Sequence, residues 1–191
     1  HTNTSWDQAR FESCGHKWAD VSEGGYGVSV LNDCKYGHSV HESELALTLI
    51  KSGIEPNPNT DNEEHVFTYS LYPHAGGWRE GGTQQEAIRL NQPMKAVKGG
   101  KPGESFSFVS ADHDNVIIET VKAAEDGDGV IVRVIEEQNK RTNTVLTFGC
   151  PVCSAEDCDL MENKTGDVAV EGNAVSFTIR PYEIKTIRVR F

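Results

Sequence analysis

The sequence predicts an all-β protein: two consecutive β units and one short helix. Three observations carry this. Val, Ile and Phe recur at every second residue through much of the second half. Polar turn sequences rich in Gly, Asn and Asp separate those runs. A single Gly- and Pro-rich stretch, Lys95 to Glu104 (KAVKGGKPGE), divides the chain near its middle.

The second half reads most simply. Val116 and Ile118 alternate with Ile117 and Glu119; Val130, Val132 and Val134 with Ile131, Arg133 and Ile135. Val175, Phe177 and Ile179 alternate with Ser176, Thr178 and Arg180, and Ile187, Val189 and Phe191 with Arg188 and Arg190. A period of two places one side-chain set on one face of a sheet, so these are strands with a buried face. The intervening segments Glu125 to Gly129, Asn139 to Asn143 and Glu171 to Asn173 have turn composition. Short strands at regular spacing point to a β-sandwich.

The first half is expected to hold strands at Phe11 to Trp18, Gly27 to Leu31, Leu45 to Ile50 and Val66 to Leu71. Gly24-Gly25 and Glu55 to Asn59 read as loops. The helix begins at Thr83-Gln84-Gln85-Glu86, which has the form of a capping box, with Thr83 and Glu86 each capping the other's amide. Ala87, Ile88 and Leu90 give it an apolar face, and Pro93 stops it. The expected domains are residues 1–98 and 105–191, joined by a linker at 99–104.

Composition excludes several functions. A net charge of −11 repels phosphate backbones and anionic lipid, so neither nucleic acid nor membrane is an expected partner. No apolar run approaches the roughly 18 residues of a membrane span. The start, HTNTSWDQARF, lacks an initiator Met and the layout of a signal peptide, which implies a piece of a longer or processed parent. Five cysteines in a chain of 191 residues suit a reduced, cytoplasmic protein rather than a disulfide scaffold.

Cys150 and Cys153 form a C-x-x-C, with Cys158 close behind. Two thiolates at that spacing can hold zinc or cycle as a redox pair. A second ligand pair and a βαβ context are both missing, so buried free thiols are the better reading. The seven histidines are scattered; His38 and His41 are expected to flank a turn after Gly37. The carboxylates, Asp20, Glu23, Asp33, Glu63, Glu64, Asp157 and Asp159 among them, read as surface charge. Trp6, Trp18, Tyr26 and Tyr36 crowd the first forty residues, where exposed rings could stack on sugar faces or fill a core.

The run from Asn3 to Gly37, NTSWDQARFESCGHKWADVSEGGYGVSVLNDCKYG, resembles the C-terminal half of α-mannosidases of glycoside hydrolase family 38. So do FTYSLYPHAGGWRE, AEDGDGVIVRVIE, AEDCDLMEN and IRPYEIKTIRVRF, and the resemblance extends from Asn3 to Phe191. NDCKYG is the form found in the bacterial and vacuolar-cytosolic branch. Val21 replaces the Leu usual in D-L-S-E, and Cys150 and Cys153 lie outside the family motif.

This resemblance implies the end of a large β-sandwich of the galactose-mutarotase-like supersandwich type, followed by a small immunoglobulin-like β-sandwich. It implies a parent that is a retaining α-mannosidase of mannose metabolism, a homo-oligomer acting on terminal α-D-mannosyl residues. There a Zn²⁺ ion in a catalytic barrel binds sugar hydroxyls, an Asp attacks the anomeric carbon and a second carboxylic acid protonates the leaving oxygen. Those groups would lie upstream of His1, so this piece alone is expected to hold no catalytic residue, metal or cofactor. It would pack on the barrel of its own parent, with some loops at the pocket rim. The rim candidates are Trp6, Asn32, Lys35 and Tyr36. Lys35 and Tyr36 offer hydrogen bonds to sugar hydroxyls, and Gly37 allows a tight turn. Alternatively, the Asn32–Gly37 turn orders two strands through Asn32 or Asp33 bonding its own backbone. A non-catalytic carbohydrate-binding module is the competing function.

Overall fold

The computed structural model describes residues 5–8, 11–100, 103 and 105–191. They fall into two compact units, 1–98 and 99–191.

The first unit begins with a four-residue helical turn, α1 (Ser5–Gln8). Six strands follow among the described residues: β1 (Ser13–Cys14), β2 (Trp18–Glu23), β3 (Tyr26–Asn32), β4 (Gly37–His41), β5 (Glu44–Leu47) and β6 (Tyr69–Ala75). Helix α2 (Thr83–Asn91) closes it. All pairings are antiparallel, and the sheets run β1-β4-β5 and β2-β3-β6.

Register divides the β2-β3-β6 sheet cleanly. Trp18, Asp20, Ser29, Leu31 and Tyr72 share one face through the pairs Trp18–Leu31, Asp20–Ser29 and Ser29–Tyr72. Helix α2 packs on this face: Trp18 Nε1 donates to Gln84 Oε1 at 2.7 Å, and Ser29 Oγ lies 2.8 Å from Thr83 Oγ1. Val21, Val28, Val30 and Leu71 occupy the other face, where with Leu45 they line an open groove of about 600 Å³.

Among the described residues the second unit has nine strands: β7 (Val109–Ala111), β8 (Val116–Ala123), β9 (Val130–Glu136), β10 (Thr142–Phe148), β11 (Ser154–Cys158), β12 (Lys164–Asp167), β13 (Ala169–Glu171), β14 (Ala174–Ile179) and β15 (Ile184–Arg190). They form two antiparallel sheets, β13-β14-β10-β7 and β12-β11-β15-β9-β8. Between them lies one core: Val116, Val132, Val134, Leu146, Phe148, Val175, Ile179, Ile187 and Val189 are all buried. The expected β-sandwich is therefore present, and the period-two positions supply its interior.

Several local expectations need correction. Strand pairing in the Phe11–Trp18 segment is confined to Ser13–Cys14, before β2 opens at Trp18. The strand expected at Val66–Leu71 is β6, displaced to Tyr69–Ala75 and running through Pro73, which an edge strand tolerates. Asn143, expected in a turn, lies in β10 opposite Thr178. The capping box does not form. Gly82 is the N-cap, in the left-handed conformation at φ 68°, and no side chain caps the helix. Thr83 is buried and bonds Ser29 instead, while Glu86 pairs with Arg89 one turn on. Sheet contact outcompetes the local cap, because Thr83 sits where the helix meets β3.

No described helix is long and apolar enough to cross a membrane.

Candidate functional site

The turn Asn32–Gly37 joins β3 to β4 and brings together three of the four rim candidates. Its base is fixed on all sides. Asn32 N–H donates to Lys17 O at 2.8 Å, Asp33 N–H to Thr68 O at 3.1 Å and Gly15 N–H to Tyr36 O at 2.9 Å. Asn32 itself is wholly buried. Its Oδ1 accepts the Lys35 N–H at 3.1 Å, which closes the turn from within. Asp33 Oδ1 accepts the Thr68 N–H at 3.0 Å. That bond, helped by Cys34, holds the Asp33 carboxyl below its ordinary range, while Asp33 in turn pushes the Cys34 thiol up.

The side chains divide by role. Asn32 builds the turn and presents nothing outward. Lys35 extends its ammonium over the Phe67 ring, 5.0 Å from the centroid. Tyr36 is 44% exposed, its ring edge-on to His16 at 4.5 Å. Trp6 stands on the separate element α1, 80% exposed. Residues 1–4, ahead of α1, lie outside the described residues. Gly37 is not in the left-handed region; the space a Cβ would need there is taken by Glu12 and Thr48.

Sequence reasoning missed the residues beneath the turn. His38, expected beside a turn, is inside β4 and buried, with Nε2 3.4 Å from Asn32 Nδ2. Burial pushes its imidazole below the ordinary value, so the ring is neutral. Asn91, the last residue of α2, donates through Nδ2 to Asn32 O at 3.0 Å and to Ala87 O at 2.8 Å. Only the position of Asn91 before Gln92-Pro93, where a helix must end, hinted at it.

Other sequence candidates sort differently. Of the three clustered thiols only Cys158 is buried, and burial raises its pKa; Cys150 is half-buried and Cys153 exposed. The reading of all three as core thiols thus holds for one. Asp20, read as surface charge, has a side chain only 5% exposed, which accepts hydrogen bonds from Ser29 Oγ at 2.8 Å and His74 Nε2 at 2.7 Å. Tyr26 is half exposed at the groove, whereas Trp18 packs against Trp78 at 5.0 Å. Among the described residues no three His, Cys, Asp or Glu side chains are placed to hold a metal ion. The donor set of a zinc site is not found among them.

Two consecutive units of antiparallel sheet define the class, an all-β protein. Residues 1–59 match the glycosyl hydrolases family 38 C-terminal domain, and residues 115–187 match the family 38 C-terminal beta sandwich domain. The chain belongs to glycosyl hydrolase family 38, as part of its C-terminal region. Across 98% of its length it is 37% identical to alpha-mannosidase 2C1 of Homo sapiens and 36% identical to alpha-mannosidase G of Dictyostelium discoideum. It spans 19% and 18% of those two proteins. A family 38 glycosyl hydrolase structure from Enterococcus faecalis superposes with a TM-score of 0.70 at 20% identity, over 93% of this chain and 22% of that one. That likeness is one of fold.

Proposed function

We propose that this chain is the non-catalytic C-terminal part of a retaining, zinc-dependent α-mannosidase that hydrolyses terminal α-D-mannosyl residues. It packs on the catalytic barrel of its own parent and lends the Asn32–Gly37 turn to the rim of the sugar pocket. One observation carries this reading: the turn is anchored by its buried Asn32 and by Asp33, while Tyr36 is exposed and Lys35 half-buried on it. A sugar hydroxyl is best recognised by donors that lose little freedom on binding. The relatives' names, alpha-mannosidase in each case, support the substrate class. The acidic surface and five free cysteines support a cytoplasmic, reduced setting. The parent's homo-oligomeric state belongs to the same reading.

The test is kinetic. In the complete mannosidase, Lys35→Ala and Tyr36→Ala are expected to raise KM for an α-mannoside several-fold each. Unchanged kinetics with a lowered Tm would reduce the turn to an ordering element. The competing carbohydrate-module function is tested on the isolated chain by calorimetry with mannose and mannobiose, where no heat of binding is expected.

A further inference from the structure

The Asn32–Gly37 turn does not rest on its own strands alone. Helix α2 runs beside β3 and is attached to it at both ends. At the amino end Thr83 Oγ1 meets Ser29 Oγ at 2.8 Å; at the carboxyl end Asn91 Nδ2 meets Asn32 O at 3.0 Å. The spacings agree. Eight helical residues rise about 12 Å, and three strand residues span about 10 Å. The helix is thus a splint of the right length, whose far end stops at the first residue of the turn.

Asn91 has two amide hydrogens and uses one on each side. One caps Ala87 O within its own helix, and the other reaches the strand carbonyl at Asn32. The carbonyl of Ala87 lies one helical turn before Asn91, so that bond is local to α2, whereas the bond to Asn32 O leaves the helix. One carboxamide therefore joins two elements 59 residues apart. On the other side of the same residue, the Asn32 side chain spans Lys35 N–H and His38 Nε2. Asn32 is the meeting point: β3 and β4 belong to different sheets, and the Asn91 contact reaches the connection between them from helix α2.

We infer that Asn91 is a positioning residue: through Asn32 it fixes where the turn presents Lys35 and Tyr36. The inference rests on the rim reading for its effect on catalysis, but its structural half stands separately. Asn91→Asp keeps the shape of the side chain and removes both donors, placing an acceptor against two carbonyls. Thr83→Val, at the opposite end of α2, loosens the helix without touching the turn and serves as the stability control.

Two measurements on the complete mannosidase test this. Amide hydrogen exchange at Lys35 should speed up about tenfold in Asn91→Asp, as expected for loss of one supporting hydrogen bond, and stay near wild type in Thr83→Val. In steady-state kinetics Asn91→Asp should raise KM with kcat kept, whereas Thr83→Val lowers Tm with KM unchanged. Asn91→Gln, which restores the donors, should recover part of the exchange protection. Unaltered exchange at Lys35 in Asn91→Asp overturns the inference whatever the kinetics. If Lys35→Ala and Tyr36→Ala leave KM unchanged while Asn91→Asp still speeds exchange, the rim reading fails and the positioning role stands.

Discussion

The Nε2 of His74 lies 2.7 Å from Oδ2 of Asp20, and the two side chains are only 2% and 5% exposed. They come from opposite edge strands of the β2-β3-β6 sheet, β6 and β2, and Ser29 of the central strand bonds the same carboxylate oxygen. Because Ser29 donates to Asp20, Thr83 must donate to Ser29. A hydrogen-bonded chain thus runs from His74 through Asp20 and Ser29 into helix α2.

Two glycines make room for that arrangement. A Cβ at Gly27 would lie 2.4 Å from His74 Cε1, and one at Gly81 would lie 2.5 Å from His74 Cγ. Gly81→Ala should therefore push the ring off Asp20. Overpacking alone costs about 1–3 kcal/mol, and the separated Asp20 adds the cost of a buried polar group that has lost a partner. The expected result in a thermal melt is a drop of Tm by about 5 °C or more. A variant that melts with the wild type would show that the ring is not confined by Gly81.

In the second unit the buried Glu136 plays the corresponding part. Its carboxylate accepts from Asn115 Nδ2 at 2.8 Å, Gln138 N–H at 2.8 Å and Tyr182 N–H at 2.9 Å. Burial pushes this carboxyl up, but the bonds from Asn115, Tyr182 and Gln138 outweigh it and hold it below the ordinary value of 4.5. The folded form therefore binds a proton less readily than the unfolded one. Its stabilisation is complete above pH 4.5 and is lost as pH falls through the folded value. Glu136→Ala should cost roughly 3 kcal/mol at pH 7 by orphaning several donors. Its stability should also change less with pH below 4.5 than that of the wild type. Denaturant melts at pH 7 and pH 4 measure both effects, and equal acid sensitivity of the two proteins would refute the assignment.

His38 gives a second acid limb at higher pH. Asn32 Nδ2 donates to its Nε2, which needs the lone pair of the neutral ring. Burial lowers the folded pKa below 6.5, so unfolded chains take up the proton first and stability falls as pH drops beneath that value. His38→Gln keeps an acceptor for Asn32 without a titrating ring. It should flatten the dependence of Tm on pH just below 6.5 while leaving the decline below 4.5 intact. A slope identical to the wild type between pH 6.5 and 5 would remove His38 from the account.

These sites mark where sequence reasoning works and where it stops. Alternation at Val130–Val134 and Val175–Ile179 reported the core face, because the sheet face repeats every two residues and the core of the second unit uses that face; Ile131, on the other face of β9, is buried as well. The Asn32–Gly37 turn was legible because Asn, Asp and Gly carry local turn chemistry, and Asn32 does bond Lys35 N–H within it. Thr83 misled, because a capping box is a local preference and contact with Ser29 is not local. His38 and the Asp20–His74 pair left no local trace, and Asn91 only its place before Gln92-Pro93. Their partners in β3 and β6 lie up to 59 residues away or come into register only when the sheet forms. The glycines around His74 follow the same rule: neither Gly27 nor Gly81 has positive φ, and each is required by a distant ring rather than by its own backbone.

The uncovered face of the first unit leads to the last prediction. Leu71 is 68% exposed and Tyr69 55%, both on edge strand β6, and Leu45, Leu47 and Leu49 line the same groove with Val30. Contiguous apolar surface of this kind associates in water, and an open strand edge beside it adds unpaired backbone groups. The isolated chain should therefore self-associate as its concentration rises, despite its net charge of −11. Added salt should strengthen the association by screening that repulsion. Leu71→Lys places a charge in the middle of the face and should shift the sedimentation profile towards monomer without lowering Tm, since the side chain it replaces is mostly in solvent. A wild-type chain that stays monomeric at high concentration and high salt would show that this face is too small or too well hydrated to associate.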